Sequence, residues 1–201
     1  MKLYYSPGAC SLSPHIALRE AGLNFELEQV DLKAKKTKTG ADFTQINPKG
    51  QVPALKLDNG EVLTEGPAVV QYIADQKPAS GLAPAAGSIG RYRLQEWLNF
   101  LTSEIHKSFS PLFRPNTPED YKPIIKETLA AKFGHLDKHL AGKSYLMGDQ
   151  FTVADAYCFT VVGWSKYHKM DLGTWPNLKA YMDRVAARPK VQEALKAEGL
   201  S

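Results

Sequence analysis

Cysteine is scarce in this chain. Cys10 and Cys158 are the two present in 201 residues, too few for a disulfide framework and without the companion spacing of a zinc site, so each is read as a free thiol. No uncharged apolar run of about 18 residues exists to cross a bilayer, and Met1-Lys2-Leu3-Tyr4-Tyr5-Ser6-Pro7 lacks the apolar stretch of a secretory signal. A cytoplasmic protein with no membrane partner is expected. An excess of one charge is also missing, since 25 Lys+Arg stand against 21 Asp+Glu for a formal charge of +4 spread over both halves. A nucleic-acid module concentrates its basic residues on one face, so no nucleic-acid partner is implied, whereas an acidic small molecule is compatible. His15, His135, His139 and His168 show no spacing that suggests a metal site and are read as surface or satisfied core histidines. What is present is apolar material, 43% hydrophobic and 10% aromatic, enough for one ordinary core or two small adjoining ones. Intrinsic disorder is excluded.

The first eighty or so residues alternate strand-like and helix-like segments. Lys2 to Tyr5 is a short apolar run ended by Ser6-Pro7-Gly8, and Ser11 to Ala21 places Leu12, Ile16, Ala17 and Leu18 on a helical face before Gly22 supplies a stop. Phe25, Leu27, Val30 and Leu32 suggest a second strand whose register is uncertain, because the phase changes between Leu27 and Val30. A lysine-rich loop follows. Val52 to Leu57, Asp58-Asn59-Gly60 and Glu61 to Thr64 form a hairpin signal, after which Gly66 to Gln76 resumes a helical pattern with Pro67 in its first turn. The order is βαβ, then ββα.

From Lys77 to Gly87 the composition shifts to Pro, Ala, Gly and Ser, which marks a connector. The expected organisation is a domain over residues 1–80, a linker over 81–87 and an all-helical domain over 88–201. Helical patterns run over 88–110, 118–140, 152–167, 175–187 and 189–197. In the first of these Leu94, Trp97, Leu98, Leu101 and Ile105 form an apolar stripe, while Asn99, Ser103 and His106 recur on another face at i, i+4 and i+7. Thr152-Val153-Ala154-Asp155 is a capping-box pattern and is read as structural.

Three places could carry chemistry. Cys10 follows a strand and opens a helix, where free N–H groups and the positive dipole end favour a thiolate; a buried packing role is the alternative. Gln51-Val52-Pro53 precedes the hairpin, and Pro53 either is cis, presenting the Val52 backbone to an extended peptide, or simply starts an edge strand. Glu65, at a strand-to-helix junction, either complements the helix dipole or holds an α-ammonium while the Gly66 N–H takes the carboxylate.

Tyr4-Tyr5-Ser6-Pro7-Gly8-Ala9-Cys10-Ser11, Asn47 to Leu55, Leu63-Thr64-Glu65-Gly66-Pro67-Ala68 and Phe151-Thr152-Val153-Ala154-Asp155-Ala156 together resemble the cytosolic glutathione S-transferases over nearly the whole chain. With Cys10 where other classes carry Tyr or Ser, and His106 early in the helical half, the chain is most similar to the bacterial beta class. The resemblance implies an α/β plus all-α fold, a thioredoxin-like domain followed by a helical domain with an electrophile pocket, and a homodimer. It implies conjugation of the glutathione thiol to hydrophobic electrophiles in detoxification, with thiol exchange or peroxide reduction at its side, glutathione as substrate and no cofactor. Carried over residue by residue, Cys10 faces the glutathione sulfur, Val52 pairs with the cysteinyl part, Glu65 and Gly66 hold the γ-glutamyl end, and Lys35 approaches the glycyl carboxylate. Pro53 becomes the structural cis proline. Tyr5, Gln51, Asn99, Ser103, His106 and Lys107 match further lining positions. Gly66 departs from the family pattern, in which Ser is frequent, so one hydroxyl donor is missing and glutathione affinity is expected to be modest.

Other residues weigh less. Lys33, Lys36 and Lys38 read as a solvated face from which the resemblance alone selects Lys35, Cys158 reads as inert packing, and Trp164 and Tyr167 read as core rather than pocket edge. Two readings compete with conjugation. One is a glutathione-dependent thiol-disulfide oxidoreductase using Cys10; the other is a non-catalytic ligand-binding scaffold that kept the fold.

Overall fold

The computed structural model describes residues 1–200. Along the chain lie β1 (Lys2–Tyr5), α1 (Leu12–Ala21), β2 (Glu26–Asp31), β3 (Lys36–Thr37), β4 (Ala54–Lys56), β5 (Val62–Thr64) and α2 (Gly66–Gln76). They are followed by α3 (Ile89–Phe100), α4 (Lys107–Phe109), α5 (Tyr121–Leu140), α6 (Val153–Val162), α7 (Pro176–Ala186) and α8 (Pro189–Ala197). No helix among the described residues is long and apolar enough to cross a membrane.

Two compact units form, and their boundaries differ from those expected: Met1–Ala83 is joined by the chain from Ala187 onward, and Pro84–Ala186 makes the second unit. The expected linker 81–87 is therefore divided between them, and the last helix leaves the helical domain. The cause is side-chain pairing that no composition shift announces. α8 packs on α1, and the Arg188 guanidinium donates two hydrogen bonds, of 2.7 and 2.8 Å, to the Glu20 carboxylate.

In the first unit the sheet order is β3-β2-β1-β4-β5, with β1 parallel to β2 and antiparallel to β4. Leu3 of the central strand lies opposite Leu27 on one side and Leu55 on the other, and Leu3, Tyr4 and Tyr5 are all buried. The ambiguous register of β2 has a physical origin: Glu28 shares a face with Val30 and is itself buried, accepting from the N–H and hydroxyl of Thr39 at 3.1 and 2.9 Å. A satisfied carboxylate on the inner face breaks the apolar alternation. The lysine-rich stretch, read as a loop, supplies the two-residue strand β3 antiparallel to β2. Gly22 ends α1 at φ 62°, as a left-handed helix stop requires.

In the second unit the helix expected over 88–110 is not uniform. α3 gives way to a π-helical segment, Leu101–His106, before α4. Each π turn holds an extra residue, which rotates everything after it relative to the α-helical stripe drawn for Asn99, Ser103 and His106. α5 starts at Tyr121 rather than 118, and α6 ends at Val162, continuing as a 3-10 segment, Gly163–His168. The capping box at Thr152 and Asp155 forms. Buried Asp155 accepts from the backbone N–H of Leu146 and Thr152 and from the hydroxyls of Thr152 and Tyr181, at 2.9, 2.8, 3.0 and 3.1 Å. Burial nevertheless pushes its carboxyl up to about 6, with those donors acting in the opposite sense.

Candidate active site

The sulfur site lies in the first unit, on the loop between β1 and α1. Ser11 closes this loop on itself, receiving from the Ser6 N–H at 3.1 Å and donating to the Ser6 carbonyl at 3.3 Å. A second anchor comes from far along the chain: the Gly8 N–H donates to Glu198 Oε2 at 2.9 Å. Glu198 Oε1 lies 2.8 Å from His15 Nδ1, and Arg19 Nε lies 2.8 Å from His15 Nε2. An arginine can only donate, so Nε2 accepts and the ring proton sits on Nδ1, directed at Glu198. His15 is thus the satisfied core histidine that the sequence suggested. Glu198 went unrecognised as a site residue, since no local motif surrounds it and its partners stand at Gly8 and His15.

Cys10 donates its thiol proton to the Val52 carbonyl at 3.2 Å. Burial, reinforced by the Glu65 charge and opposed by nearby backbone N–H groups, pushes that thiol up to about 12. This corrects the expectation of a thiolate poised by the helix N-terminus. The dipole effect is worth roughly 0.3–1 kcal/mol in ordinary settings, and desolvation overwhelms it here. Cys10 is a donor.

The Val52–Pro53 peptide is cis, the alternative that the family resemblance favoured. Buried Asn47 fixes the preceding loop, its amide donating to the Gln51 carbonyl at 2.7 Å and its Oδ1 accepting from the Lys49 N–H at 3.2 Å. Gln51 itself is exposed. Lys35, at φ 56°, reaches across to donate from Nζ to the Gly50 carbonyl at 2.8 Å. Tyr5 ends β1 with its hydroxyl pushed up by burial and then by the Glu198 charge.

Glu65 occupies the residue before α2 at φ 69° and ψ 114°, a conformation that L residues rarely adopt, and its side chain makes no cap to the helix behind it. The carboxylate is two-thirds exposed and meets the Lys49 ammonium at 2.5 Å, which also donates to Thr64 Oγ1 at 3.0 Å. Gly66, buried, begins the helix with Pro67 beside it. Lys49 was read only as part of a motif, not as a site residue.

The second unit carries the remaining candidates. His106 closes the π-helical segment, its Nδ1 lying 2.6 Å from the Tyr157 hydroxyl and its ring edge-on to Trp164 at 4.9 Å. Trp164 is buried against Phe109 and half-exposed Phe113, with ring centroids 5.8 and 5.4 Å away. Tyr167, read as core, is exposed. Asn99, Ser103 and Lys107 are exposed, and the Ser103 hydroxyl donates back to the Asn99 carbonyl at 3.0 Å. Cys158 is fully buried with its thiol pushed up by burial, in keeping with inert packing.

These features meet independent comparisons. The N-terminal domain model of the glutathione S-transferases matches residues 1–75, and the C-terminal domain model matches residues 100–189. Glutathione S-transferase GstA of Escherichia coli O157:H7 is 50% identical over 200 residues, covering 100% of both chains. A sphingomonad glutathione S-transferase solved in complex with glutathione is 54% identical with a TM-score of 0.97, again covering 100% of both chains. A bacterial beta class glutathione S-transferase from Sphingomonas chungbukensis is 52% identical with a TM-score of 0.97, at 100% coverage of each. The chain therefore belongs to the glutathione S-transferase family, on the side of its bacterial beta class.

Proposed function

We propose that this transferase joins the thiol of reduced glutathione to hydrophobic electrophiles. The glutathione sulfur attacks the electrophilic carbon as a thiolate and a C–S bond forms; in substitution the leaving group departs with its electron pair, and in conjugate addition the π pair moves to the adjacent carbon, which accepts a proton. The observation that carries this reading is the state of Cys10. Its Sγ already donates to the Val52 carbonyl at 3.2 Å, and desolvation pushes the thiol up, so its S–H is suited to donate to a glutathione thiolate rather than to attack a disulfide. The same fact weighs against a thiol-disulfide oxidoreductase that uses Cys10 as nucleophile.

The remaining assignments follow the sequence match. Val52 offers its backbone beside the cis proline to the cysteinyl part of glutathione, Glu65 and the Gly66 N–H take the γ-glutamyl ammonium and carboxylate, and Lys35 takes the glycyl carboxylate. Tyr5, Gln51, Asn99, Ser103 and Lys107 line the site. His106, oriented by Tyr157, acts as a second donor to the thiolate. The protein works as a cytoplasmic homodimer in detoxification, with glutathione as substrate and no cofactor. Substitution separates the two chemistries: Cys10→Ala is expected to keep most conjugation while abolishing mixed-disulfide formation, and His106→Ala to lower conjugation by about 10-fold. Loss of conjugation in Cys10→Ala with disulfide reduction retained would reverse the assignment.

A further inference from the structure

The cation place beside Glu65 is filled before glutathione arrives. A glutathione ammonium offers N–H donors to a carboxylate, and Lys49 already supplies the same chemistry, its Nζ bonded to both Glu65 Oε1 and Thr64 Oγ1. We propose that Lys49 is an internal stand-in for the γ-glutamyl ammonium, satisfying Glu65 in the free protein and leaving it when glutathione binds. This rests on the reading of Glu65 given above.

Three features support exchange rather than a fixed ion pair. The Glu65 side chain makes no cap to its own helix, so its carboxylate is open to an outside cation. The base of Lys49 is fixed, its N–H held by Asn47 Oδ1, while its side chain is half exposed and can swing into water without dragging the loop. Finally, an exposed ion pair contributes little, so an incoming ammonium placed by the rest of the tripeptide can displace it. Lys35 differs, because its ammonium is held by a neutral carbonyl and offers no competition for a carboxylate.

A stand-in lowers apparent affinity, since each binding event must first break its contacts. Removing it therefore tightens binding of a ligand that carries the ammonium, and of that ligand alone. The probes are reduced glutathione and glutaryl-cysteinyl-glycine, which lacks the α-amino group, titrated calorimetrically into the full-length protein, Lys49→Met, Lys49→Arg and Glu65→Gln. For Lys49→Met the expected result is glutathione affinity about two- to fivefold higher, with affinity for the desamino tripeptide unchanged, the range an exposed pair allows. Lys49→Arg should bind as the parent does. Unchanged or weaker glutathione binding in Lys49→Met overturns the proposal, and equal weakening toward both tripeptides would make Lys49 a clamp for the α-carboxylate instead. Glu65→Gln tests the underlying reading separately, because it should weaken glutathione and spare the desamino tripeptide. If Glu65→Gln affects neither ligand, the Glu65 assignment fails along with its stand-in; if it behaves as expected while Lys49→Met does not, the stand-in alone is wrong.

Discussion

Two helices of this chain begin next to a threonine and a carboxylate, and the two carboxylates have opposite fates. At α6, Asp155 is buried and satisfied by four donors, two of them backbone N–H groups and two hydroxyls. At α2, Glu65 follows Thr64 but makes no cap, sits at φ 69°, and faces solvent with one lysine ammonium beside it. Asp155 is committed to the fold, because any other partner would leave buried donors unmatched. Glu65 is held in a costly backbone conformation in which its carbonyl accepts from the Val69 N–H while its side chain bonds nothing in the helix, which leaves its charge available to a ligand. Burial and partner number, rather than residue type or nearness to a helix start, separate the structural acid from the one proposed to hold glutathione.

The contrast is most exposed to failure at Asp155. Asp155→Ala strands several buried donors and should destabilise the protein by about 3–5 kcal/mol, read from the urea unfolding midpoint. A loss below about 1 kcal/mol would mean that the four contacts do not anchor α6. The same residue carries a pH signature. Its folded carboxyl lies at about 6 against an ordinary value of 3.8, so the folded protein holds the proton more tightly than the unfolded chain does. The associated stability is fully present below the unfolded value and is lost as pH rises through about 6, a fall of about 2–3 kcal/mol. Unfolding free energies at about pH 4 and about pH 7 should show this slope in the parent, and Asp155→Asn should remove it.

Glu65 should respond in the other currency, ligand affinity. Glu65→Ala is expected to weaken glutathione binding by about 1.5–3 kcal/mol, as loss of a hydrogen-bonded charge does, while stability moves by no more than about 0.5 kcal/mol. Calorimetry with a parallel thermal melt decides it, and an unfolding loss as large as that at Asp155 would erase the distinction. The finest test is Glu65→Gly. Glycine accepts the positive φ at position 65, so this variant should be more stable than Glu65→Ala by about 0.5–1 kcal/mol while binding glutathione equally poorly.

Much of this was legible in the sequence because it is local. Strand-to-helix order over the first eighty or so residues, the Asn59-Gly60 turn and the Thr152–Asp155 box each depend on neighbours within a few positions. What stayed hidden depends on distance or on burial. Glu198 reaches Gly8 and His15 across almost the entire chain, and Glu28 occupies an inward position only because Thr39 satisfies it. The π-helical segment that ends at His106 has no local signal, since an α-helical stripe through Leu94, Leu98, Leu101 and Ile105 reads without interruption. Cys10 was placed correctly on its loop, but the upward push on its thiol comes from desolvation by surrounding chain, which spacing does not record.

The pairing of α8 with α1 also sets an order of events during synthesis. Ribosomes extend a chain from its N-terminus, so residues 1–83 emerge long before the segment from Ala187 onward that completes their unit, and all of Pro84–Ala186 is made in between. Until then α1 lacks its α8 cover, His15 lacks Glu198, and the Gly8 N–H lacks its acceptor. The sulfur-bearing loop is thus translated ahead of the helical unit and finished only after it, which delays assembly of the thiol site until the helical unit has had time to fold.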